Sequence, residues 1–72
     1  MNTIQRVREI SYEKNIPLHT VMSICGISRS TFYSTEKRGG QLSVDCIEKF
    51  CVGVGITMAD FFTEVKQEEM SS

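Results

Sequence analysis

The sequence predicts an all-α fold, a compact domain of five helices with a helix-turn-helix inside it. Three observations lead there. Apolar residues recur at helical rather than alternating spacing along the chain. The only proline, Pro17, stands at a break between two such stretches. Serine or threonine precedes several of the periodic stretches and glycine follows them, the usual start and stop signals of helices. Seventy-two residues make one domain. A chain of that size buries only about 60% of its unfolded surface, so its helices must pack efficiently. The domain is expected over residues 1–66, with a frayed, solvated tail at 67–72 (QEEMSS).

The first helix is expected from Thr3 to Lys14, with Ile4, Val7 and Ile10 inward. Asn15 and Pro17 break it, and Pro17 suits the first turn of the next helix. There Leu18, Val21, Met22 and Cys25 fall at i, i+3, i+4 and i+7, a full apolar stripe. Gly26 can take the left-handed conformation that ends a helix. Ser28 is placed to cap a third helix, Arg29–Lys37, and Ile27 and Phe32 have the spacing of a hydrophobic staple. Gly39 and Gly40 stop it. Ser43 caps a fourth helix whose apolar side is Val44, Ile47, Phe50, Cys51 and Val54, with Asp45 and Glu48 near its positive end. Gly53 and Gly55 weaken and end it. Thr57 caps a fifth, with Asp60 at the third position and an Ile56–Phe61 staple; this helix is expected to fade after Val65.

Composition excludes several function classes. No apolar run approaches the roughly 18 residues of a membrane span, and MNTIQRVREI lacks the apolar stretch of a signal peptide, so a cytoplasmic protein is expected. Three cysteines, Cys25, Cys46 and Cys51, form no CxxC pair and match no zinc spacing; they read as buried, reduced core residues, and no metal is expected. His19 has no partner that would make a nucleophile–base pair, and no glycine loop is built to cradle phosphate. A binding protein is therefore expected, not an enzyme, with no cofactor and no small-molecule ligand.

Net charge is −1 but unevenly spread. Residues 1–40 carry +3, from Arg6, Arg8, Lys14, Arg29, Lys37 and Arg38 against Glu9, Glu13 and Glu36. Residues 41–72 carry −4, from Lys49 and Lys66 against Asp45, Glu48, Asp60, Glu64, Glu68 and Glu69. A chain polarised in this way can present a basic face despite a neutral total.

That face points to the third helix. Two short helices joined by a glycine-containing turn define the helix-turn-helix pattern, whose second helix enters a DNA major groove. With Phe32 and Thr35 toward the core, helical geometry puts Arg29, Ser30, Tyr33, Ser34 and Lys37 on the open side. Arg29 has the planar fork that can pair guanine O6 and N7, worth about 1–3 kcal/mol of discrimination. Ser30 and Ser34 are short donors and acceptors. Tyr33 can touch a thymine methyl or a phosphate. These four are the candidate base-reading residues. Ser28, Thr31, Lys37 and Arg38 are the candidate phosphate contacts, which position the protein without reading sequence; Arg8 or Lys14 can add to them from the first helix. Taken singly, Arg29 is a solvated charge, Tyr33 a half-buried packing residue and Lys37-Arg38 a charge pair at a helix end. Their order behind a capped glycine turn is what points to DNA.

The segments RVREI, CGISRSTFYSTE and LSVDCIEKFCVGVGITMADFF together resemble the Cro/lambda-repressor-like helix-turn-helix family, also called the XRE family, over about residues 4–65. The resemblance implies a five-helix, lambda-repressor-like domain that binds double-stranded DNA as a transcriptional regulator, commonly as a homodimer on a two-fold related site. By position, Arg29, Ser30, Tyr33 and Ser34 match the family's base-facing places, and Ser28 and Lys37 match places near the backbone. Some positions depart. Leu18 stands where a glutamine is usual, Met22 where a small alanine is usual, and Thr35 where an aliphatic residue is usual. An arginine late in the first helix often pairs with the glutamate at Glu36; Ser11 holds that place here, which leaves Glu36 to water or to a nearby base. Single modules bury only about 600–1,000 Å² against DNA, too little for tight specific binding. Met58, Phe62 and Val65 are the candidate dimer contacts, ordinary core being their other reading. A protein-interaction module on the same fold, with DNA binding lost, is the alternative function, motivated by Leu18, Met22 and the acidic second half.

Overall fold

The computed structural model describes residues 2–63 and is all-helical among them. Five helices follow in order: α1 (Thr3–Glu13), α2 (Leu18–Cys25), α3 (Arg29–Arg38), α4 (Val44–Val54) and α5 (Met58–Phe62). None is long and apolar enough to cross a membrane.

Local chemistry sets most boundaries. Asn2, Ser28, Ser43 and Thr57 each accept a hydrogen bond from the backbone N–H three residues on, which satisfies a donor the helix itself leaves open. At α5 the exchange is reciprocal: Thr57 Oγ1 accepts from Asp60 N at 2.9 Å and Asp60 Oδ2 accepts from Thr57 N at 3.3 Å, a complete capping box. Pro17 opens α2 without a side-chain cap, while Asn15 makes the preceding turn at φ 57°, a conformation asparagine tolerates. Gly26 closes α2 at φ 73°, where a side chain would be strained, and lets the chain turn at once into α3.

The core is one cluster drawn from every helix: Ile4, Val7 and Ile10 of α1, Val21, Met22 and Cys25 of α2, Phe32 of α3, Cys46, Ile47, Phe50 and Cys51 of α4, and Phe61 of α5. Phe50 and Phe61 meet edge to face at 5.9 Å, joining α4 to α5. Ile27 and Ile56 pack against this cluster as the staple spacing predicts, and Leu18 covers its edge. All three cysteines are buried free thiols. Burial pushes the Cys25 thiol up to about 12, helped by a hydrogen bond with Cys46, and burial also raises Cys46 and Cys51. They serve as small apolar core residues.

Two parts of the sequence reading change here. Val44 was expected inward but is 64% exposed, and Cys46 is buried instead. At 3.6 residues per turn the buried arc of α4 centres near Ile47 and Phe50, and Val44 lies roughly 90° from it. The fifth helix ends at Phe62, and Val65 lies outside the described residues.

Two residues of α1, Arg6 and Thr3, tie it to distant parts of the chain. Arg6 is buried, and its Nε donates to Phe61 O at 2.6 Å while Nη2 donates to Asp60 O and Thr63 O, each at 2.8 Å. Its cation thus meets carbonyls at the negative end of α5. At the first residue of α1, Thr3 N and Oγ1 both donate to Gln41 Oε1 at 2.8 Å, and Thr3 Oγ1 accepts from Leu42 N at 2.8 Å. These bonds fasten the loop that leaves α3.

Gly53 lies inside α4, where glycine costs helix stability, because α2 comes close there: a Cβ at this position would overlap Ile24 Cγ2. Gly53→Ala sets two effects against each other. Helix propensity favours alanine by up to about 1 kcal/mol, while overpacking costs about 1–3 kcal/mol. The expected result is a net loss of about 1 kcal/mol and a midpoint about 4–8 °C lower in thermal denaturation. A rise in the midpoint would show that α2 and α4 are not so tightly opposed.

Candidate nucleic-acid interface

α3 has one face in the molecule and the rest in solvent. Phe32 is 0% exposed and Thr35 is buried beside it, as expected. Arg29, Ser30, Thr31, Tyr33, Ser34, Lys37 and Arg38 are all exposed. The structure therefore brings the four candidate base-reading residues and the candidate phosphate contacts onto one helix surface. Ser28, at its head, is exposed as well.

The hydroxyls on this surface are ordered by one another. Ser28 Oγ accepts from Thr31 N at 3.1 Å, donates to Thr31 Oγ1 at 2.9 Å and lies 3.3 Å from Ser30 Oγ. Ser34 Oγ accepts from Arg38 Nη1 at 3.0 Å. Arg38 thus lies back along α3 and joins Ser30, Thr31, Ser34 and Thr35 around a shallow polar recess. Lys37 and Arg38 occupy the last turn, where cations favour the helix dipole, and no acidic residue occupies the first.

The only carboxylate on α3 is Glu36. It is bound by Arg8 of α1. Arg8 Nε donates to Glu36 Oε2 at 2.7 Å and Nη2 donates to Oε1 at 2.9 Å, a bidentate pair. The hydrogen bond to Arg8 holds the Glu36 carboxyl below the usual carboxylate range, and the bond to Glu36 raises the Arg8 guanidinium. Of the two partners expected for Glu36, water or a nearby base, the structure gives a base, Arg8. The arginine comes from a position three residues earlier than Ser11, whose hydroxyl instead donates to Val7 O at 2.7 Å inside its own helix. The pair also removes Arg8 from the pool of free phosphate contacts. Sequence reading missed the pair because it joins residues 28 apart; the signal within reach was a carboxylate on an otherwise basic helix, which needed a partner.

No protein-family model, curated protein or solved structure matches this chain. The site stands on its own geometry.

The remaining candidates divide. Phe62 is 48% exposed and stacks edge to face on Phe61 at 5.0 Å, so it offers apolar surface beyond the core. Met58 packs against the core and has less to offer. Val65, as noted, is outside the described residues. His19 is exposed on α2, away from any acidic partner that forms an ion pair among the described residues.

The Arg8–Glu36 pair gives stability a pH dependence of known sign. The folded state holds Glu36 at a lower pKa than the unfolded chain does. The pair's contribution is therefore full above the unfolded value, near pH 4.3, and is lost as pH falls through the lowered folded value. The thermal midpoint of wild type should exceed that of Glu36→Gln at neutral pH, and the gap should narrow as pH falls from the unfolded value through the lowered folded one. A gap independent of pH would mean that Glu36 acts through shape and not through its charge.

Proposed function

We propose that this protein is a sequence-specific double-stranded DNA-binding regulator of transcription, working in the cytoplasm, with α3 laid in the major groove. The observation that carries this reading is the outer surface of α3. Arg29, Lys37 and Arg38 stand there among ordered hydroxyls, and the one acid of the helix is drawn to α1. A groove lined by phosphates repels carboxylates and attracts such a surface. The resemblance of the sequence to the Cro/lambda-repressor-like family supports the same reading.

Roles follow from position. The N-terminal part of a groove-bound helix meets base edges. Arg29 pairs with guanine through its two-pronged donor set, with Ser30, Tyr33 and Ser34 beside it. Ser28, Thr31, Lys37 and Arg38 lie toward the strands. Two copies bind a two-fold site, with Phe62 in the contact between them, which sets the two reading helices about 34–36 Å apart. The work is binding, with no catalytic step.

A second reading has one observation in its favour. Val44 and Val52 are exposed on α4 beside Glu48, an apolar and acidic surface suited to a protein partner rather than to DNA. Titration decides between them. Binding to a duplex should weaken with salt at a log–log slope of about 0.9 per phosphate contact. Arg29→Ala should lose about 1–3 kcal/mol of discrimination at one base pair, while Lys37→Ala should weaken all sequences alike. Duplexes selected from a random pool should carry paired half-sites. Binding indifferent to salt and to both substitutions would sink the DNA reading. No duplex binding at low salt, with a stable protein complex recovered, would favour the partner reading.

A further inference from the structure

Arg8 touches more than an acid. Its guanidinium carbon lies 5.6 Å from the centroid of the Phe32 ring and 5.9 Å from that of Tyr33. The two rings meet edge to face, 5.8 Å apart at 89°. Phe32 is fully buried and fixed by the core, whereas Tyr33 is 43% exposed on the outer surface of α3. An exposed tyrosine on a helix ordinarily exchanges between rotamers. Here two contacts oppose that exchange. One is the perpendicular ring of Phe32. The other is a cation that is itself held at two points by Glu36. A cation within about 6 Å of an aromatic centroid is attracted to the ring face. Arginine suits both tasks at once: its planar fork matches the two carboxylate oxygens while the same plane packs on rings, which lysine cannot reproduce.

We propose that Arg8, from outside the reading helix, is a positioning and specificity-determining residue: it locks Tyr33 in one orientation and so fixes the base step that Tyr33 meets. The proposal rests on the DNA-binding reading of α3 and adds to it a residue that touches no base. Because the guanidinium is committed to Glu36 and the two rings, it acts through Tyr33 and not as a phosphate contact.

Arg8→Lys tests this, since it keeps the charge and removes the fork and the plane. The chain has two tyrosines and no tryptophan, so a Tyr12→Phe background makes Tyr33 the sole source of tyrosine emission. Tyr12 is 86% exposed, which makes that change mild. In this background and without DNA, Arg8→Lys should lower the anisotropy of Tyr33 emission while circular dichroism stays helical. With DNA, the ratio of affinities for selected over random duplex should fall about tenfold, the scale of one oriented base contact. Random-duplex affinity and the salt slope should hold. Tyr33→Ala should cause the same loss of ratio, and the double variant no more, because the two residues act as one unit. Glu36→Gln, which keeps the shape of the side chain and weakens its hold on Arg8, repeats the test should Arg8→Lys fail to fold.

Unchanged Tyr33 anisotropy would overturn the proposal. So would equal losses on both duplexes with a shallower salt slope, which would make Arg8 a phosphate contact, or additive losses in the double variant. If wild type binds no duplex at low salt, the DNA reading fails and the specificity role falls with it; the anisotropy then still reports whether Arg8 orders Tyr33.

Discussion

Arg8 lies over the Phe32 ring while it pairs with Glu36, and the orientation of α3 depends on that contact. Phe32 supplies the apolar contact that fixes the helix to the core. By itself one aromatic leaves a short helix free to roll about its contact. The bidentate pair between Arg8 and Glu36 adds a second fixed point on another helix, and two points define an orientation. The outer surface of α3 is therefore presented at one angle. The same pair balances the only negative charge of α3 with a cation from α1. A half-exposed ion pair adds little to stability in general. Its value here is geometric and electrostatic.

The legible part of the fold was the local part. Caps at Ser28, Ser43 and Thr57 act over three residues, so their spacing carries the signal. The bounds of α2, the left-handed turn at Gly26 and the staples at Ile27 and Ile56 were readable for the same reason. Arg6 was not. It reads as a surface charge on a helix, yet it is buried against carbonyls more than fifty residues away in sequence. Val44 misled because its spacing to Ile47 and Cys51 fits a stripe, while the neighbouring helices set where that stripe ends. Gly53 reads as a weak point in α4 and is instead the place where Ile24 fits.

At the candidate interface the same division holds. Which residues of α3 face outward follows from one buried aromatic and helical geometry, and the structure agrees at each candidate position from Arg29 to Arg38. How the side chains are held does not follow from the sequence. Ser34 accepts from Arg38, Ser28 links to Thr31, and Arg8 reaches across to Glu36 and the rings. The acidic second half of the chain leaves the molecule near neutrality. Any attraction to DNA must then come from local charge on one surface, which makes it steep in salt and dependent on orientation.

The most direct measurement is an amide NMR titration of the labelled protein with a duplex selected from a random pool. Binding through α3 predicts that shifted and broadened amides concentrate from Ser28 to Arg38, with Arg8 following and α4 little changed. Shifts confined to α4 and α5, with α3 silent at saturation, would contradict it.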